Sequence, residues 1–216
     1  MKRSGPLVTL LAGLLLGLFL LTLNSATGTK ASSSARPVRE SPTASVSPTP
    51  TKPAPSPTSA VVPDADYSGR TDDDSAAVAV TLRDGRAIAY VCDGRATESW
   101  LKGDVADDGT MRLTGKHGAT LTGTLKEGKR IRGTVETDGG RHAFTADRTK
   151  KPSGLYRATA TVREARIDGG WIVLEDGSQV GVLNRDGKPA PAPRIDPETG
   201  AVTVDGRELT ARPVTP

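Results

Sequence analysis

Cys92, His117 and His142 are the side chains of this sequence best suited by type to nucleophilic or metal chemistry. Cys92 is the only cysteine, so no internal disulfide forms, and it directly precedes Asp93-Gly94. A two-residue hairpin there would set Cys92 opposite Arg95, whose guanidinium would favour thiolate, which makes Cys92 the candidate reactive thiol. Cys92 also shares its strand phase with Ile88 and Tyr90, where a small buried hydrophobe is the ordinary occupant. Buried packing is therefore expected ahead of an intermolecular disulfide or a nucleophile. Metal sites need clustered ligands; with two histidines and one cysteine, no metal and no cofactor is expected. Thr71-Asp72-Asp73-Asp74-Ser75 lacks the spaced glycine and distal carboxylate of a calcium loop and reads as an exposed turn.

Trp100 and Trp171 are the weak candidates for ligand binding, as platforms for stacking a sugar ring; core packing is their commoner role. Gly177-Ser178-Gln179-Val180-Gly181 has its serine in the wrong place for a nucleophile elbow. The glycines open hairpins, not helices, so no phosphate-binding loop is expected. The carboxylates lie almost entirely in turns, and no glycosidase pair can be selected among them. No catalytic residue is assigned, and the expectation is a protein that is not an enzyme.

The elements that would position these residues are strands. Eight Asp-Gly pairs begin at residues 84, 93, 108, 138, 168, 176, 186 and 205. Asp-Gly suits a type I′ turn because both central residues take positive φ. Val78, Val80 and Leu82 alternate with Ala77, Ala79 and Thr81, and Ile88, Tyr90 and Cys92 with Ala87, Ala89 and Val91. Both faces of this hairpin are apolar, so it should be covered on both sides. Leu101, Leu113, Leu121 and Ile131 each stand two residues before a glycine. Glycine weakens a strand, and its recurrence asks for a sheet that coils sharply or packs closely.

The fold class is therefore all-β: an antiparallel hairpin meander of about seven strands over Tyr67–Thr149, forming a small barrel or strongly curved sheet. Leu155–Val162, Gly170–Leu174 and Gln179–Leu183 are expected to complete the same barrel, because three strands alone bury little. The β-domain is thus placed at 67–187. Residues 188–216 are read as a proline-rich crossing, Lys188–Pro197, and a last hairpin about Asp205-Gly206.

Ahead of the β-domain, Lys2 and Arg3 precede an uncharged apolar stretch. Residues 7–23 would make a helix of ~25 Å, near the short limit for crossing a bilayer. Cationic flanks stay in the cytoplasm. Residues 1–23 are read as a signal-anchor, the alternative being a signal peptide cleaved near Ala26-Thr27-Gly28. Residues 24–66 hold eight of the 16 prolines among Ser, Thr and Ala. They are read as a disordered linker of polyproline character, reaching ~120 Å if extended. The expected location is the cell membrane, single pass, with the C-terminal domain outside; the alternative is secretion.

Charge removes one class of partner. The net charge of +4 resides in residues 1–65, and residues 66–216 carry 23 basic and 23 acidic side chains. A nucleic-acid footprint needs a basic excess on one face, so no nucleic acid is expected. The expected partners are the membrane, through residues 7–23, and a cell-wall polymer or envelope protein.

Ala89-Tyr90-Val91-Cys92-Asp93-Gly94, Ser153-Gly154-Leu155-Tyr156-Arg157-Ala158 and Gly170-Trp171-Ile172-Val173-Leu174 resemble segments of a group of exported proteins from Streptomyces and related actinobacteria. The resemblance covers about 67–205, and the composition, rich in Ala, Gly, Arg, Thr and Val, suits a GC-rich genome. The group has no assigned activity, so the resemblance implies no functional residues. The Leu-Thr-Gly meander also resembles small up-and-down barrels such as the avidins, which bind ligands inside, although the aromatic complement is short. The leading expectation is a non-enzymatic β-domain presented on a wall-spanning linker for binding or envelope interaction. A barrel that holds a small ligand comes second, and an envelope enzyme using Cys92 third.

Overall fold

The computed structural model describes residues 62–216; the apolar segment 7–23 and the linker up to residue 61 lie outside them. Among the described residues there is no α-helix, only strands, turns and one 3-10 turn. Eight strands form the barrel: β1 (Ala65–Thr71), β2 (Ala77–Arg83), β3 (Arg86–Cys92), β4 (Glu98–Val105), β5 (Thr110–Gly115), β6 (Thr120–Lys126), β7 (Arg130–Thr137) and β8 (Gly140–Thr149). Each pairs antiparallel with the next, and β8 returns to pair with β1 from Asp66↔Thr149 to Thr71↔Phe144, so the barrel is closed. The first strand opens at Ala65, inside the stretch read as linker.

Strand alternation sorts the side chains. Tyr67, Val78, Val80, Leu101, Leu113, Leu121, Ile131 and Phe144 all point inward and are buried. Burial of one such side chain is worth ~1.5–3 kcal/mol. The glycines two residues beyond the aliphatic positions share this inward phase. Gly103 stands opposite Leu113, Gly115 opposite Leu101, and Gly133 opposite Phe144. A Cβ on Gly133 would lie 2.1 Å from the Thr122 carbonyl oxygen and 2.8 Å from Gly123 Cα. The recurrent glycines thus let neighbouring backbones close up around a narrow interior filled by apolar side chains.

The strands after Thr149 do not join this barrel. They build a second, five-stranded sheet of order β12-β11-β10-β9-β15, from β9 (Gly154–Val162), β10 (Ala165–Val173), β11 (Gln179–Arg185), β12 (Lys188–Pro191) and β15 (Arg212–Pro213). The physical reason is the β1–β8 pairing: a closed barrel offers no edge to extend. One face of the new sheet covers the barrel. Leu155, Ile172 and Val182 pack there against Ala77, Ala79, Tyr90 and Cys92, which explains why β2 and β3 are apolar on both faces. The opposite face, with Tyr156, Trp171 and Val173, packs against Ile195 and the hairpin of β13 (Ala201–Val204) and β14 (Arg207–Thr210). The result is three layers: barrel, sheet and hairpin.

Two local readings change. Asp168-Gly169 lies inside β10, which pairs without interruption from Ala165 to Val173. Its glycines make room: a Cβ on Gly169 would meet the Trp171 ring, and one on Gly170 the Tyr90 and Trp100 rings. The β9–β10 turn is made instead by Arg163 and Glu164, both at positive φ. Lys188–Pro191, read as part of a crossing, is an edge strand paired with β11. The Ala192 N–H points at β11, so Pro189 and Pro191 face away from it. Neither carries an N–H, which leaves that open edge poor in donors for a further strand.

Candidate functional site

Inward-pointing positions stay apolar through the barrel and turn polar at one end. Above Val91 and Val135 the inward series continues as Thr71 on β1, Ser99 on β4, Thr137 on β7 and His142 on β8. His142 is in phase with Phe144 and Ala146 and sits one pair of residues beyond them. The loops joining β1 to β2 and β3 to β4 rim this mouth and bring Asp74, Ser75, Asp93, Arg95 and Thr97 to it, beside Arg70 at the end of β1. Together they enclose a half-open cleft of about 440 Å³.

Local hydrogen bonds shape both rims. In the first loop the Ser75 hydroxyl donates to Asp73 Oδ1 at 2.7 Å, and His142 Nδ1 lies 2.7 Å from Asp73 Oδ2. The Ser75 hydroxyl, with help from Thr71, holds the Asp73 carboxyl well below the usual carboxylate range. Arg70 forms an ion pair with Asp74. In the second loop Asp93 Oδ1 accepts from the backbone N–H groups of Arg95, Ala96 and Thr97 at 2.8, 3.0 and 3.0 Å. Burial opposes ionisation of Asp93, yet these donors keep its carboxyl below the ordinary range. The loop is therefore wider than a two-residue hairpin. Cys92 stands opposite Glu98, not Arg95.

Asp73, Ser75 and His142 have the residue types of a hydrolytic triad but not its geometry. The Ser75 oxygen is 3.5 Å from His142 Nδ1, the same nitrogen that meets Asp73. A nucleophile activated by histidine needs the ring nitrogen opposite the one that meets the carboxylate. With Nδ1–H donating to Asp73, the neutral ring leaves Nε2 as an acceptor. The arrangement fixes the ring and ties the β1–β2 loop to β8.

Cys92 borders the cleft but is 1% exposed and belongs to the barrel–sheet seam. Burial pushes its thiol up to about 12, so it is a neutral, packed thiol at physiological pH. The two tryptophans are kept apart from the mouth. Trp171 is buried between the second sheet and the hairpin layer, and its Nε1–H donates to the Pro193 carbonyl at 2.7 Å. Trp100 lies in the barrel–sheet seam, its ring centroid 4.3 Å from that of Tyr90. Neither forms a sugar platform at the cleft. His117 sits exposed in the turn between β5 and β6 with φ of 54°.

The seam gathers polar groups that the sequence reading did not single out. The Tyr90 hydroxyl donates to Glu98 at 2.8 Å, and burial raises the Glu98 carboxyl above its ordinary range in spite of that bond. Arg157 donates to both oxygens of Asp168 at 2.9 and 2.6 Å beside the Trp100 ring. The two hydrogen-bonded pairs each lie within one layer, and the seam is crossed by the Arg157 guanidinium over the Trp100 ring and by the Tyr90 hydroxyl, 3.5 Å from the Gly170 carbonyl oxygen. The mouth, by contrast, is concave and lined by polar side chains. The chain matches no family model, no curated protein and no solved structure.

Proposed function

We propose that this is a non-enzymatic, membrane-anchored binding protein that takes a small polar ligand at the barrel mouth. Residues 7–23 hold the chain in the membrane, and residues 24–66 carry the β-domain outward toward the wall or an envelope partner. Kinship with the exported actinobacterial proteins belongs to the same proposal. The observation that carries the binding reading is the change of the inward series from apolar to polar above Val91 and Val135, inside a cleft of about 440 Å³. Mouths of barrels are recurrent ligand sites, and pockets of ~300–1,000 Å³ accommodate small molecules. Hydroxyls at Thr71, Ser99 and Thr137, a fixed imidazole and charges of both signs suit a polar, hydrogen-bonding ligand. The filled interior speaks against a ligand held deep inside, as in the avidins.

Two experiments separate the parts of this reading. Fractionation with intact-mass analysis tests the anchor: recovery in membranes with residues 7–23 retained supports it, and a soluble form beginning near residue 27 or 29 overturns it. Native mass spectrometry of the chain recovered from its own cells tests the cleft. A small-molecule adduct on the wild type that Thr137→Trp loses supports a site at the mouth. An adduct kept by Thr137→Trp, or none on either form, contradicts it.

A further inference from the structure

Residues 66–216 balance their charges in sum, but the barrel does not distribute them evenly. The second sheet covers the β1–β3 side, and the outward faces of β4–β8 beyond the Trp100 seam remain open to solvent. Six cations point outward there: Lys102, Arg112, Lys126, Arg130, Arg132 and Arg141. Three anions accompany them, and each is matched across a strand pair: Asp104 stands opposite Arg112, Glu136 opposite Arg141, and Asp147 forms an ion pair with Arg130. Lys102 and Arg132 stand opposite no anion in the strand register, and Lys126 lies near Asp108 of the β4–β5 turn. The absence of a basic excess, inferred from composition, holds for the sum and fails for this face.

Threonine fills most of the remaining positions. Thr110 stands opposite Thr124, Thr114 opposite Thr120, and Thr122 opposite Thr134. Neighbouring strands lie ~4.8 Å apart and successive outward residues ~6.8 Å apart along each strand, so the face is a grid of hydroxyls with cations set into it. Solubility needs charge of either sign, and mixed signs serve it well; an excess of one sign over a hydroxyl-covered sheet suits a partner of the opposite sign. Arg and Lys bind phosphate oxygens strongly, and threonine hydroxyls add hydrogen bonds between them. Aromatic side chains, on which the bases of single-stranded nucleic acids stack, are missing from the open part of this face. The acidic turns Asp107-Asp108 and Asp138 close off ends of the strands, which favours a chain laid across the strands over one running along them.

We propose that the outer face of β4–β8 is a docking surface for a linear, base-free polymer of phosphate groups. It is independent of the mouth cleft, since none of Lys102, Lys126 and Arg132 borders that cleft.

The test uses the full chain in detergent with linear inorganic polyphosphate as probe, followed by fluorescence anisotropy at several salt concentrations. Engagement of about three phosphates gives a log–log salt slope near −2, so affinity falls roughly 16-fold between ~50 and ~200 mM salt. Lys102→Glu combined with Arg132→Glu should weaken binding at least tenfold, on the order of the loss expected for removing two phosphate contacts and adding repulsion. Lys102→Arg with Arg132→Lys should retain it, which separates loss of charge from loss of fold. Arg95→Ala, at the mouth, should leave polyphosphate binding unchanged. The proposal is overturned by no binding at ~50 mM salt, by equal binding of the charge-reversed variant, or by tighter binding of a single-stranded oligonucleotide of equal charge.

Discussion

The Arg157 guanidinium lies 4.5 Å from the centroid of the Trp100 ring, joining a strand of the second sheet to a strand of the barrel. Its nitrogens are held by the two oxygens of Asp168, one strand over in the same sheet. Tyr90 stacks on the other partner of this contact and sends its hydroxyl to Glu98. The seam between barrel and sheet is thus apolar around Ile172 and Val182 and polar around Trp100, and both parts set the orientation of the layers.

Trp100→Ala is expected to cost about 2 kcal/mol in urea denaturation, below the ~3–5 kcal/mol of a fully buried tryptophan because the ring is only half-buried. Arg157→Lys, which keeps the charge but not the paired hydrogen bonds, is expected to cost about 1 kcal/mol. Because the two residues touch, the double variant should cost less than the sum of the singles. Additive costs would show that the contact contributes nothing of its own.

Two glycines of the same repeat should behave differently. At Gly133 a Cβ would run into backbone, the Thr122 carbonyl, which cannot move away cheaply. At Gly123 the nearest atom is the Ile131 Cγ2 methyl at 3.2 Å. Gly133→Ala should therefore destabilise by about 3 kcal/mol or more, and Gly123→Ala by about 1 kcal/mol or less. Thermal melts of both variants decide; equal effects would mean the barrel closes by something other than backbone approach at Gly133.

Glu98 makes stability depend on pH in a defined direction. Burial raises its carboxyl in the folded chain above the ordinary value of 4.5. The native state then binds the proton more tightly than the unfolded state between these two values. Its contribution is fully present below 4.5 and is lost as pH rises through the folded value. Asp73 and Asp93, whose carboxyls are held low, act oppositely, so the difference between wild type and Glu98→Gln is the quantity to follow. The melting temperature of Glu98→Gln relative to wild type should rise with pH across that window. A flat difference would contradict the burial of a charged Glu98.

The Cys92 thiol should resist a disulfide reagent in the folded chain at pH 8, because burial and its raised value both suppress thiolate. Reaction should appear only as denaturant opens the seam. Rapid labelling of the native protein would refute the packed-thiol assignment and restore a reactive one.

Barrel and binding mouth differ in how visible they are in the sequence. The meander is local: alternation over Val78–Leu82 and Ile88–Cys92 and the Asp84-Gly85 turn, both residues at positive φ, are read within a few residues. Closure depends on Asp66 meeting Thr149 across the whole meander, and no local pattern announces it. With that pairing unseen, the later strands looked like its continuation. Asp168-Gly169 misled for a related reason, since a glycine that makes room for Trp171 looks the same in sequence as one that turns a hairpin. The mouth is assembled from Asp73 and His142, 69 residues apart. The available signal was the phase of His142 with Phe144 and Ala146, which makes it the polar end of an inward series.

Hydrogen exchange of the full chain, with and without the desalted small-molecule fraction of its own cells, tests the central assignment most directly. Slowed exchange confined to the rims and walls of the mouth, over residues 71–76, 93–99 and 137–142, is the predicted result. Slowing in the barrel–sheet seam around Gly170 instead, or no change anywhere, would contradict a binding site at the barrel mouth.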